Sequence, residues 1–392
     1  MPKKNKGSKG YTLHNRVELI RGGADFFARL IQMIEHAERS IHLQVYILDK
    51  DPTGIMVTDA LKRAAKRGVT VHLMADGYAS RMLPGGFIRE LRDAGIHFRF
   101  FEPLLKSKYF YFGRRLHHKI MVTDARYALV GGLNITERYN DRIGFSAWLD
   151  FAVWVEGEIA KQLCIRCWKT WYGFPASLKQ FPCEKDFNQT ITLPGTISQV
   201  RMRVNDWVRN RNEISQSYLE MLSRAKSQIT ILCSYFLPNE TFRKKLLSAA
   251  KRGVNVRIIL AGLSDIQIAK NAERYIYEWL LRNNITIYEY QGNVLHGKVA
   301  VSDSNWSTIG SYNINNISAR ASIELNLDVY DPTFATDLEK VLDKIIEEDC
   351  IQITGEVLQK KSTAWNRLIW WSSYQTVKGL IYLFTFYFRK KN

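Results

Sequence analysis

Hydrophobic positions along the chain fall into two alternating rhythms. Ile41-His42-Leu43-Gln44-Val45-Tyr46-Ile47-Leu48 and Val69 to Ala75 are compact apolar runs, and between them Ile55 to Arg67 is spaced as a helix. The runs predict buried strands with a helix joining them. Upstream, Val17 to Glu38 carries helical spacing, with Phe26, Leu30, Met33 and Ile34 on one side. The order returns in the second half of the chain. Ile214 to Ala225 is spaced as a helix, Ile229 to Phe236 as a strand, and another helix leads to a strand from Val254 to Ala261. From about Asp265 the pattern is helical as far as Asn283-Asn284. Ile285 to Tyr290 and Ser322 to Tyr330 then read as strands, and Pro332 to Glu348 as a closing helix. Strand–helix–strand alternation predicts an α/β layered fold.

The repetition extends to identity. The hexamer Ala-Ala-Lys-Arg-Gly-Val at 64–69 recurs at 249–254. A longer pattern, H-x-K-x4-D-x6-G-[GS]-x-N, occurs at His117, Lys119, Asp124, Gly132 and Asn134, and again at His296, Lys298, Asp303, Ser311 and Asn313. Both features return after about 180 residues, which predicts a duplicated domain rather than a solenoid. Two related halves packed about a pseudo-twofold axis would bring both motifs to one shared site.

Each motif sits in a β-branched setting and reads as a strand, whose side chains alternate between faces. His117 and Lys119 then share a face, as do His296 and Lys298, while His118 and Asp124 point away. Imidazole beside ammonium suits phosphate chemistry. One histidine can attack phosphorus while the other protonates the leaving oxygen. The lysines neutralise charge, and Asn134 and Asn313 can add hydrogen bonds. Such a pair calls for no metal or other cofactor.

Here the chain resembles the phospholipase D superfamily, named for this twice-occurring motif, from about Asn15 to Cys350. Arg114-Arg115, the Gly-Gly-Leu-Asn stretch and the segment from Val17 to Gly23 make it most similar to bacterial cardiolipin synthases without N-terminal membrane spans. The resemblance implies two α/β/α sandwich halves sharing one active site, and a phosphohistidine intermediate with His117 as nucleophile and His296 as acid. It implies that a downstream acid orients each histidine, the matching positions being Asp150 and Glu324. It makes Asp124 and Asp303 structural members of the motif. Gly132 stands where many members have Ser, so a hydroxyl contact to phosphate is expected only at Ser311.

Composition narrows the partners. The 392 residues carry a formal net charge of +18, which predicts an anionic partner, nucleic acid or an acidic membrane surface. Five scattered cysteines argue against a disulfide framework, and Cys164 and Cys167 read as packed thiols. The basic first residues read as a disordered tail (1–14), neither signal peptide nor membrane span. The halves are expected at 15–174 and 196–352, joined by a Pro-containing linker at 175–195. Arg201, Arg203, Arg209 and Arg211 read mostly as a solvated basic surface. Aromatics and cations mix between Phe98 and Arg115, suiting nucleic-acid stacking, a lipid headgroup layer or a packed loop.

The tail at 353–392 differs. Trp365, Trp370, Trp371 and Tyr374 precede a short apolar run after Lys378, too short to span a membrane. The mix suits a helix lying in the membrane interface, favoured over one packed on the protein's own surface.

The leading expectation is a phosphatidyltransferase that forms cardiolipin from phosphatidylglycerol, peripheral on the cytoplasmic side of the cell inner membrane. The alternative is a phosphodiesterase hydrolysing phospholipid or nucleic acid. A non-catalytic membrane-binding protein fits two complete motifs poorly.

Overall fold

The computed structural model describes residues 10–103, 114–173, 198–315 and 322–389. The aromatic stretch from Lys106 to Phe112 and the connection at 175–195 lie outside the described residues, as do the first nine.

The first half runs β1 (Thr12–Arg21), α1 (Ala24–Glu35), β2 (Ser40–Val45), α2 (Pro52–Lys66), β3 (Thr70–Asp76), α3 (Gly85–Asp93), β4 (His97–Phe101), β5 (Arg115–Leu116), β6 (Lys119–Thr123), β7 (Tyr127–Gly131), β8 (Phe151–Gly157) and α4 (Glu158–Trp171). The second runs β9 (Ser198–Asp206), β10 (Arg211–Asn212), α5 (Glu213–Arg224), β11 (Gln228–Cys233), α6 (Glu240–Lys251), β12 (Asn255–Ala261), α7 (Gln267–Tyr275), α8 (Tyr277–Arg282), β13 (Thr286–Tyr290), β14 (Lys298–Ser302), β15 (Trp306–Gly310), β16 (Ser322–Tyr330) and α9 (Pro332–Asp349).

Strand pairing makes the duplication explicit. In the first half the order is β4-β3-β2-β6-β7-β8-β1, with β2, β3 and β4 parallel and the rest antiparallel. In the second it is β13-β12-β11-β14-β15-β16-β9, with β11, β12 and β13 parallel. The halves meet where β1 pairs antiparallel with β9, so the pseudo-twofold passes between those strands. Helices cover both faces. α1 and α2 close a core in the first half, and α5 and α6 close one in the second. The third core is shared: Val153, Val155 and Leu163 pack with Val299, Leu325 and Leu338 beneath α4 and α9. Burying one continuous apolar layer between halves fixes their relative placement. Cys164 and Cys167 are buried in it, 1% and 0% exposed.

The structure departs from the sequence reading in several places. β1 already begins at Thr12, paired with Val200, inside the segment read as a disordered tail (1–14). Val17 to Arg21 is strand, not helix. The chain breaks at Gly22-Gly23, where Gly23 has φ +78°, and the helix begins at Ala24. Five residues satisfy either period, and pairing with β8 decides it: Val17 and Leu19 pack on the shared core, while Arg16 pairs with Glu156 and Glu18 with Arg29. The stretch after Asp265 is two helices, α7 and α8. Arg201 is buried rather than solvated, its guanidinium bound to Asp328 at 2.8 Å and Glu220 at 2.9 Å.

Finally, α9 does not close the chain. It is followed by β17 (Cys350–Ile353), paired with β13, then α10 (Gly355–Lys361) and α11 (Ala364–Arg389). One face of α11 packs on the protein: Trp370, Ser373 and Val377 are buried, and the Tyr374 ring lies 4.7 Å from Tyr275 of α7. The opposite face exposes Trp365, Leu368 and Trp371. No helix among the described residues is long and apolar enough to cross a membrane.

Candidate active site

The two motifs enter the site by the same construction. The regular strand begins only at Lys119 in the first copy and Lys298 in the second, later than the sequence predicts. The residues before it turn aside to bond the other half. The N–H groups of His117 and His118 both donate to the Ile323 carbonyl at 3.0 Å. Those of His296 and Gly297 both donate to the Leu149 carbonyl, at 2.8 and 2.9 Å. Ile323 precedes Glu324, and Leu149 precedes Asp150. Each motif is therefore stitched to the segment carrying the other half's acid, and β5 runs parallel to β16 beside it.

The side chains follow. His117 Nδ1 is 3.0 Å from Glu324 Oε2, and His296 Nδ1 is 2.6 Å from Asp150 Oδ2. The resemblance assigns each histidine an acid, and the structure bonds each acid to the histidine of the opposite half. A carboxylate on Nδ1 holds the ring proton there and leaves Nε2 with its lone pair. Lys119 Nζ lies 2.6 Å from the His117 carbonyl, and Lys298 Nζ bonds the His296 carbonyl and, at 3.1 Å, Ser234 Oγ. The Tyr46 ring packs 4.7 Å from His117, and Tyr139 and Trp148 pack at 5.1 and 6.1 Å from His296.

Electrostatics tie the groups into one cluster. Burial lowers His117 below the ordinary imidazole value, and Glu324 works against that. Burial, aided by Lys298, takes His296 down to about 4. Burial takes Lys119 down to about 7, with Glu324 opposing it and the Lys298 charge adding to it. Burial raises Asp150, but Lys298 and the His296 bond overcome it and hold the carboxyl below its usual range. The charge of Lys298 is thus felt at His117, and that of Lys119 at His296.

The remaining predicted residues divide. Asn134 is buried, its Oδ1 accepting from the Ile47 N–H at 3.1 Å and its Nδ2 donating to Tyr139 Oη at 3.0 Å. Asn313 is buried beside Cys233. The Ser311 hydroxyl donates to Glu324 Oε2 at 2.5 Å and accepts from the Leu325 N–H at 3.1 Å. It positions the acid. At Gly132 a Cβ would fall 2.4 Å from Asp150 Oδ1, so the missing side chain makes room for that carboxylate. Asp124 and Asp303 stand away from the site. Asp124 accepts the N–H groups of Glu38, Arg39 and Ser40, and Asp303 those of Lys226, Ser227 and Gln228. His118 faces the other way, onto Gln44.

The profile of the family described as "Cardiolipin synthase, PLD-like domain" matches residues 30–163 and 218–346, one segment in each half. The chain belongs to this family. Cardiolipin synthase B of Salmonella typhimurium is 32% identical over 379 residues, covering 95% of this chain and 89% of that one. Cardiolipin synthase B of Escherichia coli strain K12 is 31% identical over 374 residues, covering 94% and 88%. Among solved structures, the phosphatidylserine synthase of Haemophilus influenzae superposes with a TM-score of 0.72 at 14% identity, over 94% of this chain and 95% of that one. Polyphosphate kinase from Porphyromonas gingivalis gives 0.59 at 15% identity, covering 94% of this chain and 53% of that one. These two share the fold.

Against the family pattern, sequence reading passed over Ser322, Ser234, Tyr46, Tyr139 and Trp148. Ser322 Oγ donates to Glu324 Oε1 at 2.7 Å. It lies two residues before Glu324 on the same strand face, a signal present in the sequence.

Proposed function

We propose that the chain is a phosphatidyltransferase that forms cardiolipin from phosphatidylglycerol. His117 Nε2 attacks the phosphodiester phosphorus of one phosphatidylglycerol. The bond to the glycerol oxygen breaks, and His296 donates the proton that oxygen needs. A phosphodiester anion between the rings favours a proton on one of them, offsetting the burial that otherwise keeps both neutral. Lys119 and Lys298 neutralise the phosphoryl oxygens. Glu324 and Asp150 hold the rings and stabilise the imidazolium as it forms. A hydroxyl of a second phosphatidylglycerol then gives its proton to His296 and attacks the phosphatidyl-histidine, forming cardiolipin and freeing His117.

The observation that carries this reading is the crossed pair of histidine–carboxylate bonds, which makes the halves one catalytic unit. The cardiolipin synthase relatives, covered over most of their length, supply the choice of lipid. The enzyme works peripherally at the inner membrane's cytoplasmic face. The charge of +18 and the exposed Trp365, Leu368 and Trp371 of α11 support that contact. Incubating purified protein with phosphatidylglycerol vesicles should yield cardiolipin and glycerol. Cleavage of single-stranded DNA offered in parallel, without lipid turnover, would favour the nucleic-acid phosphodiesterase instead. Deleting 364–392 should weaken vesicle co-sedimentation, and unchanged binding would leave α11 a packing role only.

A further inference from the structure

The loop before Asp150 ends in a tight turn of unusual composition. Arg142 and Phe145 exchange backbone hydrogen bonds at 3.0 and 2.9 Å, leaving Ile143-Gly144 at the tip. Gly144 has φ +76°, which the turn needs and glycine supplies. Ile143 is 107% exposed, an aliphatic side chain held wholly in solvent. The turn is braced: Asp141 accepts the N–H groups of Ala24 and Ala147, both at 2.9 Å, and Asn293 Nδ2 donates to the Ser146 carbonyl at 2.6 Å. Met82, 79% exposed, projects from the loop after β3. Between these tips lies a cleft of about 580 Å³ lined by Lys50, Met82, Leu83, Arg138, Arg142 and Phe145, among others.

This cleft adjoins the catalytic groups. The Arg138 guanidinium lies 5.3 Å over the Trp148 ring, and Trp148 packs against His296. On the other flank, Leu263 and Ile266 are 55% and 47% exposed in the loop after β12. That loop holds Asp265, which accepts from Tyr235 Oη, and Tyr235 follows the Ser234 that binds Lys298. Exposed aliphatics therefore stand on both sides of the mouth.

We propose that this rim seats the enzyme on an anionic bilayer, with Ile143 and Met82 entering the headgroup–acyl boundary. The anionic preference comes from the net charge of +18, since the cleft itself is balanced. Asp49 and Glu137 pair with Arg138 and Arg142, and in each pair the cation is the more exposed partner, at 44% against 35% and 42% against 27%. Asp51 is occupied capping α2 and binding the Thr136 hydroxyl and the Glu137 N–H. Cations thus face outward around apolar tips, the pattern of an interfacial anchor. Docked this way, the mouth meets lipid headgroups without a lipid leaving the bilayer. The docking deepens the phosphatidyltransferase reading and rests on it for what is delivered, but its test is separate.

The experiment is co-sedimentation of the full chain with phosphatidylglycerol vesicles and, separately, phosphatidylcholine vesicles. The wild type should bind the anionic vesicles preferentially. Met82→Asn/Ile143→Asn should weaken that binding about tenfold or more with an unchanged melting temperature. Lys50→Gln/Arg142→Gln should reduce the salt dependence. Unchanged partition of the aliphatic double variant, with binding carried by α11 alone, overturns the proposal, as does displacement of the protein from vesicles by single-stranded DNA at equal phosphate. A wild type that binds vesicles through the rim but forms no cardiolipin would sink the activity reading and leave the docking intact.

Discussion

His117 belongs to the first half of the chain and Glu324 to the second, yet His117 Nδ1 is held by Glu324 Oε2 at 3.0 Å across 207 residues. The reverse bond joins Asp150 to His296. Neither motif histidine takes its carboxylate from its own half, so each ring is prepared by the other half. Glu324→Gln should therefore lower kcat about a hundredfold or more while changing KM little, because the amide no longer fixes the ring tautomer or stabilises the imidazolium. Steady-state kinetics on phosphatidylglycerol would check it. A near-normal kcat would mean that Glu324 only packs.

The acids differ in length, and their neighbours differ to match. Asp150 faces Gly132, and Glu324 faces Ser311. Gly132→Ser should push the Asp150 carboxylate off His296 and cost more than about tenfold in turnover. Adding Asp150→Glu to it recreates the Glu324–Ser311 combination and should recover part of the loss. A double variant no better than the product of the singles would count against this pairing.

Lys119 supplies the pH dependence. With its ammonium lowered to about 7 by burial, it is charged below that pH and neutral above. Affinity for an anionic phosphodiester should fall as pH rises through about 7, giving kcat/KM an alkaline limb. Arginine stays protonated throughout, so whatever turnover Lys119→Arg retains should lack that limb. A limb of unchanged position would assign it to another group.

Asp124 and Asp303 each accept three backbone N–H groups at the start of a strand in their own half. Asp124→Ala should cost about 2 kcal/mol or more of stability and lower the melting temperature. Turnover per folded molecule should stay near normal. A large loss of kcat in fully folded protein would return this residue to the chemistry.

Acid stability should follow the histidine stack under α4. His42 is buried, 4.9 Å from the His72 ring and edge-on to Trp168. Burial lowers His42 to about 3 and His72 to about 4. The unfolded chain takes up these protons near pH 6.5 and the folded chain only below about 4, so the unfolded state binds more protons between those values. Stability should therefore fall as pH drops from 6.5 towards 4. At about 1.4 kcal/mol per unit, His42 alone accounts for on the order of 5 kcal/mol over its full window from 6.5 down to about 3. His42→Leu should flatten that part of the melting-temperature profile.

The duplicated motif and the strand–helix order were legible in the sequence because each half repeats one hydrophobic rhythm. Ser322 to Tyr330 emerged with its bounds intact, since nine residues of alternation leave little choice. Val17 to Arg21 did not, because its strand character comes from a partner far along the chain, β8. The crossing of the acids was equally invisible. Asp150 follows the first motif and Glu324 the second, and only the β5–β16 and Leu149–Leu295 contacts decide which histidine each one meets. The resemblance put Ser311 on phosphate, and its bond to Glu324 was not legible because that acid reaches it from the neighbouring strand.

The most direct test of the shared site is the stoichiometry of the covalent intermediate. Rapid-quench reaction of the His296→Asn enzyme with labelled phosphatidylglycerol, followed by peptide mapping, would count and locate bound phosphatidyl groups. One shared site predicts at most one phosphatidyl group per chain, on His117, both formed and released slowly for want of the second imidazole. In the wild-type enzyme, two groups per chain, on His117 and His296 at once, would mean two independent sites and contradict the account.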